Sequence, residues 1–371
     1  AKVSEDKKNI SVYQEITYYN RFDEDLHKIK LLNWIAAYKN RKTSLSYRQL
    51  EDRKKNLYFA KPDDLGNLQN LEISIGNSSI LNLDSNRENL FLPLSKPLKK
   101  GEKITIELHY ILKLPAADFT GYGISENKMN LKYFFLVPDG FETNEQKEKK
   151  YIDIEEIQNY NANWKVILDV PAGYYSKSNL PETAPHYFEG NIKNDPEFLI
   201  SDVQFPQNNI LIDGKNVKID FGYPLTEAES QNLEFYLPLH LQFIKTKTGL
   251  LPEKIFLSEK FRKEEDFFGI DDLKFWKFHY QLFTDSEKAD LDYFGMISKN
   301  ILNQSLIYDK NEDHWLINGL KTYLEIEYIE KFYKNRKLLG DLPEQAQLFG
   351  LKPIKWFHAS KLNLSERYGL G

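Results

Sequence analysis

From residue 10 to residue 20 the chain reads Ile-Ser-Val-Tyr-Gln-Glu-Ile-Thr-Tyr-Tyr-Asn. Apolar and polar positions alternate, and the residues are largely β-branched or aromatic. A period of two places one set on each face, which predicts a strand with one side buried. The same signature recurs at 71–75, 90–92, 103–112, 131–138, 164–171 and 198–205. Residues 31–34 read as a short apolar strand, 36–45 as a loop, and the charged stretch 48–55 as a short exposed helix. Pro93, Pro97, Gly101 and the 118–123 turn punctuate these runs. Many short strands between turn signals, with little helical periodicity, predict an all-β sandwich over roughly the first 200 residues.

The pattern changes near residue 215. After one more strand at 216–221, apolar Leu233, Phe235, Tyr236, Leu239 and Phe243 fall at helical spacing. Thr226 with Glu227 and Glu229 marks the start of that helix, because carboxylates favour the positive end of the helix dipole. Gly249 marks its end. Pro238 lies inside it and is expected to kink or split it. A strand follows at 254–258. Ser286 is expected as the N-cap of a helix carrying Leu291, Phe294, Ile297, Ile301 and Leu302. A second helix is expected from Asp313 to Tyr333, with Leu316, Leu320, Tyr323, Leu324, Tyr328 and Ile329 on its apolar side. The fold class is therefore a multidomain α+β protein. An all-β domain over 1–214 precedes a helix-rich α+β domain over 215–371.

Composition narrows the chemistry. The 371 residues carry a net charge of −5, which argues against the basic stripe a nucleic-acid partner requires. There is no cysteine, which removes disulfides, thiolate catalysis and cysteine metal sites together. No apolar run approaches the ~20 residues of a membrane span. Aromatic residues make up 14% of the chain, which suits a β-rich core and also an aromatic contact surface. The first residues lack the apolar segment of a signal peptide, so a leader is expected to have been removed or left out. The last residues contain no finishing element, and more chain is expected beyond them.

No phosphate loop, dinucleotide fingerprint or nucleophile elbow occurs. The seven histidines at 27, 109, 186, 240, 279, 314 and 358 form no pair four residues apart. A relocated site using His279 or His314 with Asp271 has no spacing to support it. The informative stretches are Lys299-Asn300-Ile301-Leu302-Asn303-Gln304 and the frame Trp315-Leu316-Ile317-Asn318-Gly319-Leu320-Lys321-Thr322-Tyr323-Leu324-Glu325. Together they resemble the paired motifs HExxHQ and WLNEGFATYLE of the M1 aminopeptidases, a gluzincin family. There, two histidines one helical turn apart and a glutamate on the next helix hold zinc, and the glutamate between the histidines acts as general base.

The resemblance implies an N-terminal saddle-shaped β domain followed by a thermolysin-like domain truncated at its C-terminal end. It also implies that the metal site has degenerated. Lys299 and Asn303 stand in the histidine slots, Asn300 in the slot of the base, and Asn318 in that of the third ligand. An ammonium repels a metal ion, and amides are weak ligands that cannot take a proton from bound water. Neither a catalytic residue nor a metal or other cofactor is expected. Lys299, if buried, is expected to pair with Glu325 or Asp292. Asp271 and Asp272, in the region of the family's substrate loop, and Tyr323 are candidate groove contacts.

The resemblance thus favours an inactive peptidase-like protein. Its expected role is binding or scaffolding within a larger, envelope-associated protein complex outside the cytoplasm, periplasmic or at the cell surface, with a peptide as a further ligand of the groove. The competing readings are an active metallopeptidase with an unconventional site, and a sandwich-plus-helix protein unrelated to peptidases.

Overall fold

The structure, a computed structural model, describes residues 1–76, 78–80, 83–126, 128–139, 161–193, 195–264, 273–275, 278–280, 283–306, 308 and 313–333. The chain divides into two compact units, Ala1–Gln204 and Phe205–Gly371. The division falls earlier than the boundary drawn at 214/215 from composition. Strand Gln207–Ile212 pairs with Lys215–Phe221 and so belongs with the second unit.

The first unit is built from antiparallel sheets. The largest has the strand order Lys2–Val3, Asn9–Tyr19, Lys103–Lys113, Asn67–Ile75, Ser78–Ile80. A second contains Val137–Pro138, Leu26–Leu32 and Asn89–Leu98. A third runs Tyr175–Ser178, Phe198–Ser201, Lys128–Leu131, Gly123–Ser125, and a fourth Ala162–Ile167, Tyr187–Ile192, Glu182–Ala184. Their apolar faces share one core, from Ile10 and Val12 to Phe198 and Ile200. Alternation predicted these strands because each buries one face.

Among the departures from expectation, two fall where apolar residues run without alternation; the short helix also starts earlier than expected, at Ser44 rather than Arg48. Residues 34–38 form a 3-10 helix, Trp34–Tyr38, with all five residues buried. The Trp34 indole donates to the Tyr38 hydroxyl at 3.1 Å. Beyond it, α1 (Ser44–Glu51) starts at Thr43, whose hydroxyl accepts from the Ser46 amide. Residues 131–138 are not one strand. Pairing ends at Leu131, Tyr133 takes a φ of +63°, and only Val137–Pro138 pairs again. Tyr133 through Val137 are all buried, so the run carries no one-sided pattern to hold a strand.

The second unit has a three-stranded sheet in the order Gln207–Ile212, Lys215–Phe221, Lys254–Leu257. A two-residue turn, Asp213-Gly214, closes the antiparallel pair. Both turn residues have positive φ (+48° and +79°), as a twist-matched hairpin turn requires. The second pair is parallel, and α2 (Glu227–Thr248) is its crossover. The short α3 (Glu259–Glu264), a hairpin of Leu273–Phe275 with Phe278–Tyr280, and the helices α4 (Asp285–Ser305) and α5 (His314–Phe332) follow.

The ends of α2 are as expected, with a Thr226/Glu229 capping box and a left-handed Gly249. Pro238, however, does not split it. The proline forgoes a bond to the Glu234 carbonyl, and Glu234 is exposed, so water can serve that group. The N-cap of α4 is Thr284 rather than Ser286, because Glu287 lies three residues on and returns a bond to the Thr284 amide at 2.7 Å.

Gly123 is the tightest backbone position. Its φ is +129°, and a Cβ there would lie 2.1 Å from the Pro115 carbonyl oxygen. Gly123→Ala combines backbone strain with a clash against main chain. It is expected to destabilise the chain by more than about 2 kcal/mol, read as a lower thermal midpoint and a lower urea midpoint at unchanged m-value.

Candidate functional site

Helix α4 buries Leu291, Phe294, Ile297, Ile301 and Leu302 against α2, α5 and the strand Lys254–Leu257. Its last two turns carry Lys299, Asn300 and Asn303, all half-buried; Asn318, also half-buried, lies in the second turn of α5. Lys299, Asn300, Asn303 and Asn318 therefore stand on two helices that pack together.

What the side chains do there is structural. The carbonyls of Glu253 and Leu257 accept from Lys218 and Gly222 at 2.9 and 2.8 Å, toward the neighbouring strand. By alternation the Phe256 carbonyl faces the open edge of the sheet. The Asn300 amide nitrogen donates to that carbonyl at 3.0 Å. The other half of the same amide accepts from Gln304 Nε2 at 2.6 Å. Asn303 Oδ1 accepts from the Tyr308 hydroxyl at 2.9 Å. Asn300 thus fastens α4 to the sheet, and Asn303 fastens it to the chain that leaves its C-terminus.

A zinc ion does not fit this donor set. No imidazole or carboxylate stands at the four positions, and the amide oxygens of Asn300 and Asn303 already accept hydrogen bonds. Among the described residues no three His, Asp or Glu side chains converge as a metal cluster would require.

The remaining expectations divide. Glu325 is 1% exposed and is bridged by Lys321 on its own helix, at 3.2 Å. The i,i+4 spacing brings Lys321 onto the same face of α5. Tyr323 is 52% exposed and shares an outward face of α5 with Trp315 (63%) and Ile326 (42%). Asp271 and Asp272 lie outside the described residues.

The most buried polar cluster of this unit was not anticipated. Asp290 on α4 is 1% exposed and His240 on α2 fully buried, with His240 Nε2 2.6 Å from Asp290 Oδ1. The Tyr328 hydroxyl on α5 donates to both carboxylate oxygens at 3.1 and 3.2 Å, and Tyr333, just beyond α5, donates to Oδ2 at 2.5 Å. Tyr328 stacks on Phe294 at 4.0 Å between ring centroids. Burial, and then the Asp290 charge, push the ionisation of both tyrosines far above the ordinary value. The sequence holds one clue: His240 falls within the apolar stripe Leu233, Leu237, Leu241, Ile244 of α2, where a polar residue needs a buried partner.

Compared with known proteins, the chain matches no family model and no curated protein. Solved structures do resemble it. The M1 zinc metallopeptidase from Deinococcus radiodurans superimposes with a TM-score of 0.50 at 11% identity, covering 89% of this chain and 68% of that one. A variant of a two-domain M1 zinc metallopeptidase bound to L-arginine gives a TM-score of 0.52 at 11% identity, over 87% and 67%. The fold is that of these enzymes, with an N-terminal β domain followed by a helix-rich α+β domain.

Asp290→Ala leaves three donors buried around an empty position and is expected to cost about 3–5 kcal/mol in denaturant unfolding, whereas Asn300→Ala, which orphans one half-buried carbonyl, costs about 1–2 kcal/mol. The tyrosines set a second test. Unfolded tyrosines lose their protons near pH 10, while folded Tyr328 and Tyr333 hold theirs. Their contribution is complete below about pH 10 and is lost as the pH rises above it. Alkaline unfolding should begin there, and Tyr328→Phe with Tyr333→Phe should flatten the slope of stability against pH.

Proposed function

We propose that this chain is a catalytically inactive protein of M1-aminopeptidase fold that works by binding, as a scaffold subunit of a protein assembly in the cell envelope, outside the cytoplasm. The observation that carries the reading is the use made of the catalytic positions. The amide in the slot of the general base ties α4 to the sheet edge, and the amide in a histidine slot ties down the following chain. A base must be free to take a proton from water, and a zinc ligand must present a lone pair to the ion. These side chains do neither.

The outward face of α5 supports binding as the remaining role. Trp315, Tyr323 and Ile326 are large apolar side chains held in solvent on one helical face, beside the degenerate site. Aromatic residues of this kind dominate protein interfaces. The absence of cysteine and the resemblance to M1 proteins fit a place outside the cytoplasm.

The full chain, purified without chelator, is expected to carry no stoichiometric zinc by mass spectrometry and to release no product from aminoacyl or peptide reporters with added zinc. One equivalent of zinc together with chelator-sensitive turnover would overturn the reading. For the binding role, a photo-crosslinking residue at position 323 should capture one discrete protein partner in cells, and the same residue at exposed Tyr47 should not.

A further inference from the structure

The outward face of the five-stranded sheet is fixed by its two longest strands. Asn9–Tyr19 and Lys103–Lys113 pair without a register shift from Asn9 opposite Lys113 to Tyr19 opposite Lys103. With no bulge between them, alternation never slips. Val12, Ile106, Leu108 and Tyr110 are buried in the core, so Tyr13, Glu15, Thr17 and Tyr19 face solvent together with Thr105, Glu107 and His109, and with Lys103 at the far end opposite Tyr19.

Two rungs of this face are unusual. Glu15 lies directly opposite Glu107. Like charges in that position repel and weaken a sheet. On the next rung Tyr13 and His109 meet with ring centroids 4.7 Å apart, and Glu72 lies across from His109 on the other side. None of the three glutamates has an ion-pair partner among the described residues. Tyr13 is 56% exposed and Tyr19 49%. They stand about 20 Å apart on one strand, with the acidic rung between them.

We infer that this sheet face is a docking surface for a basic segment of another protein chain. Lysine or arginine side chains of that segment neutralise the Glu15–Glu107 rung and Glu72, and their stems and cationic heads lie against the Tyr13 ring. The charge decides among occupants. A second copy of this chain, itself at net −5, is disfavoured at the acidic rung by overall charge, and the anionic backbone of a nucleic acid is repelled. The surface lies in the first unit, whereas Lys299, Asn300, Asn303 and Asn318 lie in the second.

The test uses the full chain and a fluorescein-labelled peptide alternating arginine and threonine, with citrulline in place of arginine as the neutral control. Fluorescence anisotropy should detect binding of the arginine peptide that weakens with added salt, and little binding of the control. Glu15→Gln with Glu107→Gln should weaken it by about tenfold or more, and Tyr13→Ser should weaken it further. Thermal unfolding separates this from damage to the fold, because Glu107→Gln relieves a repulsion and should raise the midpoint while binding falls. Equal affinity in the double glutamine variant overturns the proposal. So does an equal loss on changing exposed Asp63 and Asp64 to asparagine, which would reduce the effect to overall charge. A dimer by sedimentation that dissociates in the glutamine variant overturns it as well, since the face would then join copies of the chain.

Discussion

One carboxylate organises the helical unit. Asp290 sits on α4, and its hydrogen-bond partners come from α2, from α5 and from the residue just after α5. A buried charge is tolerated only when its lone pairs are filled, and here three side chains fill them. The geometry of one group therefore constrains three helices at once. Apolar contacts between helices tolerate small slides, whereas a shared carboxylate does not, because moving any one helix breaks a hydrogen bond to a buried group. The aromatic rings of Phe294 and Tyr328 seal the cluster.

That constraint holds α4 and α5 together through side chains of the chain itself. A metal ion bound between two helices crosslinks them through its ligands, and its removal takes that energy from the native state. In this chain the crosslinks lie elsewhere. Asp290 and Tyr328 join the two helices near the start of α4, and Asn300 pins its far half to the sheet.

Much of the fold was legible because its physics is local. Alternation marked the long strands at Asn9–Tyr19 and Lys103–Lys113, and Thr226, Glu229 and Gly249 marked both ends of α2. Reading failed where tertiary burial removed the pattern, as at Trp34–Tyr38 and through Tyr133–Val137, where apolar runs have no solvent-facing half. The split expected at Pro238 does not occur, since its cost depends on the exposure of Glu234, four residues earlier. At the site, the two motif frames placed Lys299, Asn300, Asn303 and Asn318 on two packed helices. The Phe256 carbonyl that Asn300 meets was beyond reach, because it lies 44 residues away in the chain and is met only in three dimensions. Asp290 was invisible for the same reason: one acid among 55 carries no mark of what will surround it.

The bond from Asn300 to the Phe256 carbonyl has a consequence for recognition. An exposed sheet edge is a template onto which any extended chain can add itself through main-chain bonds alone, with little regard for its sequence. Here the middle acceptor of that edge is already engaged by the protein's own amide. A visitor lying along Lys254–Leu257 would meet a ladder with a rung removed, and indiscriminate strand addition would stall at it. At this edge a visiting strand would first have to displace the Asn300 amide from the Phe256 carbonyl.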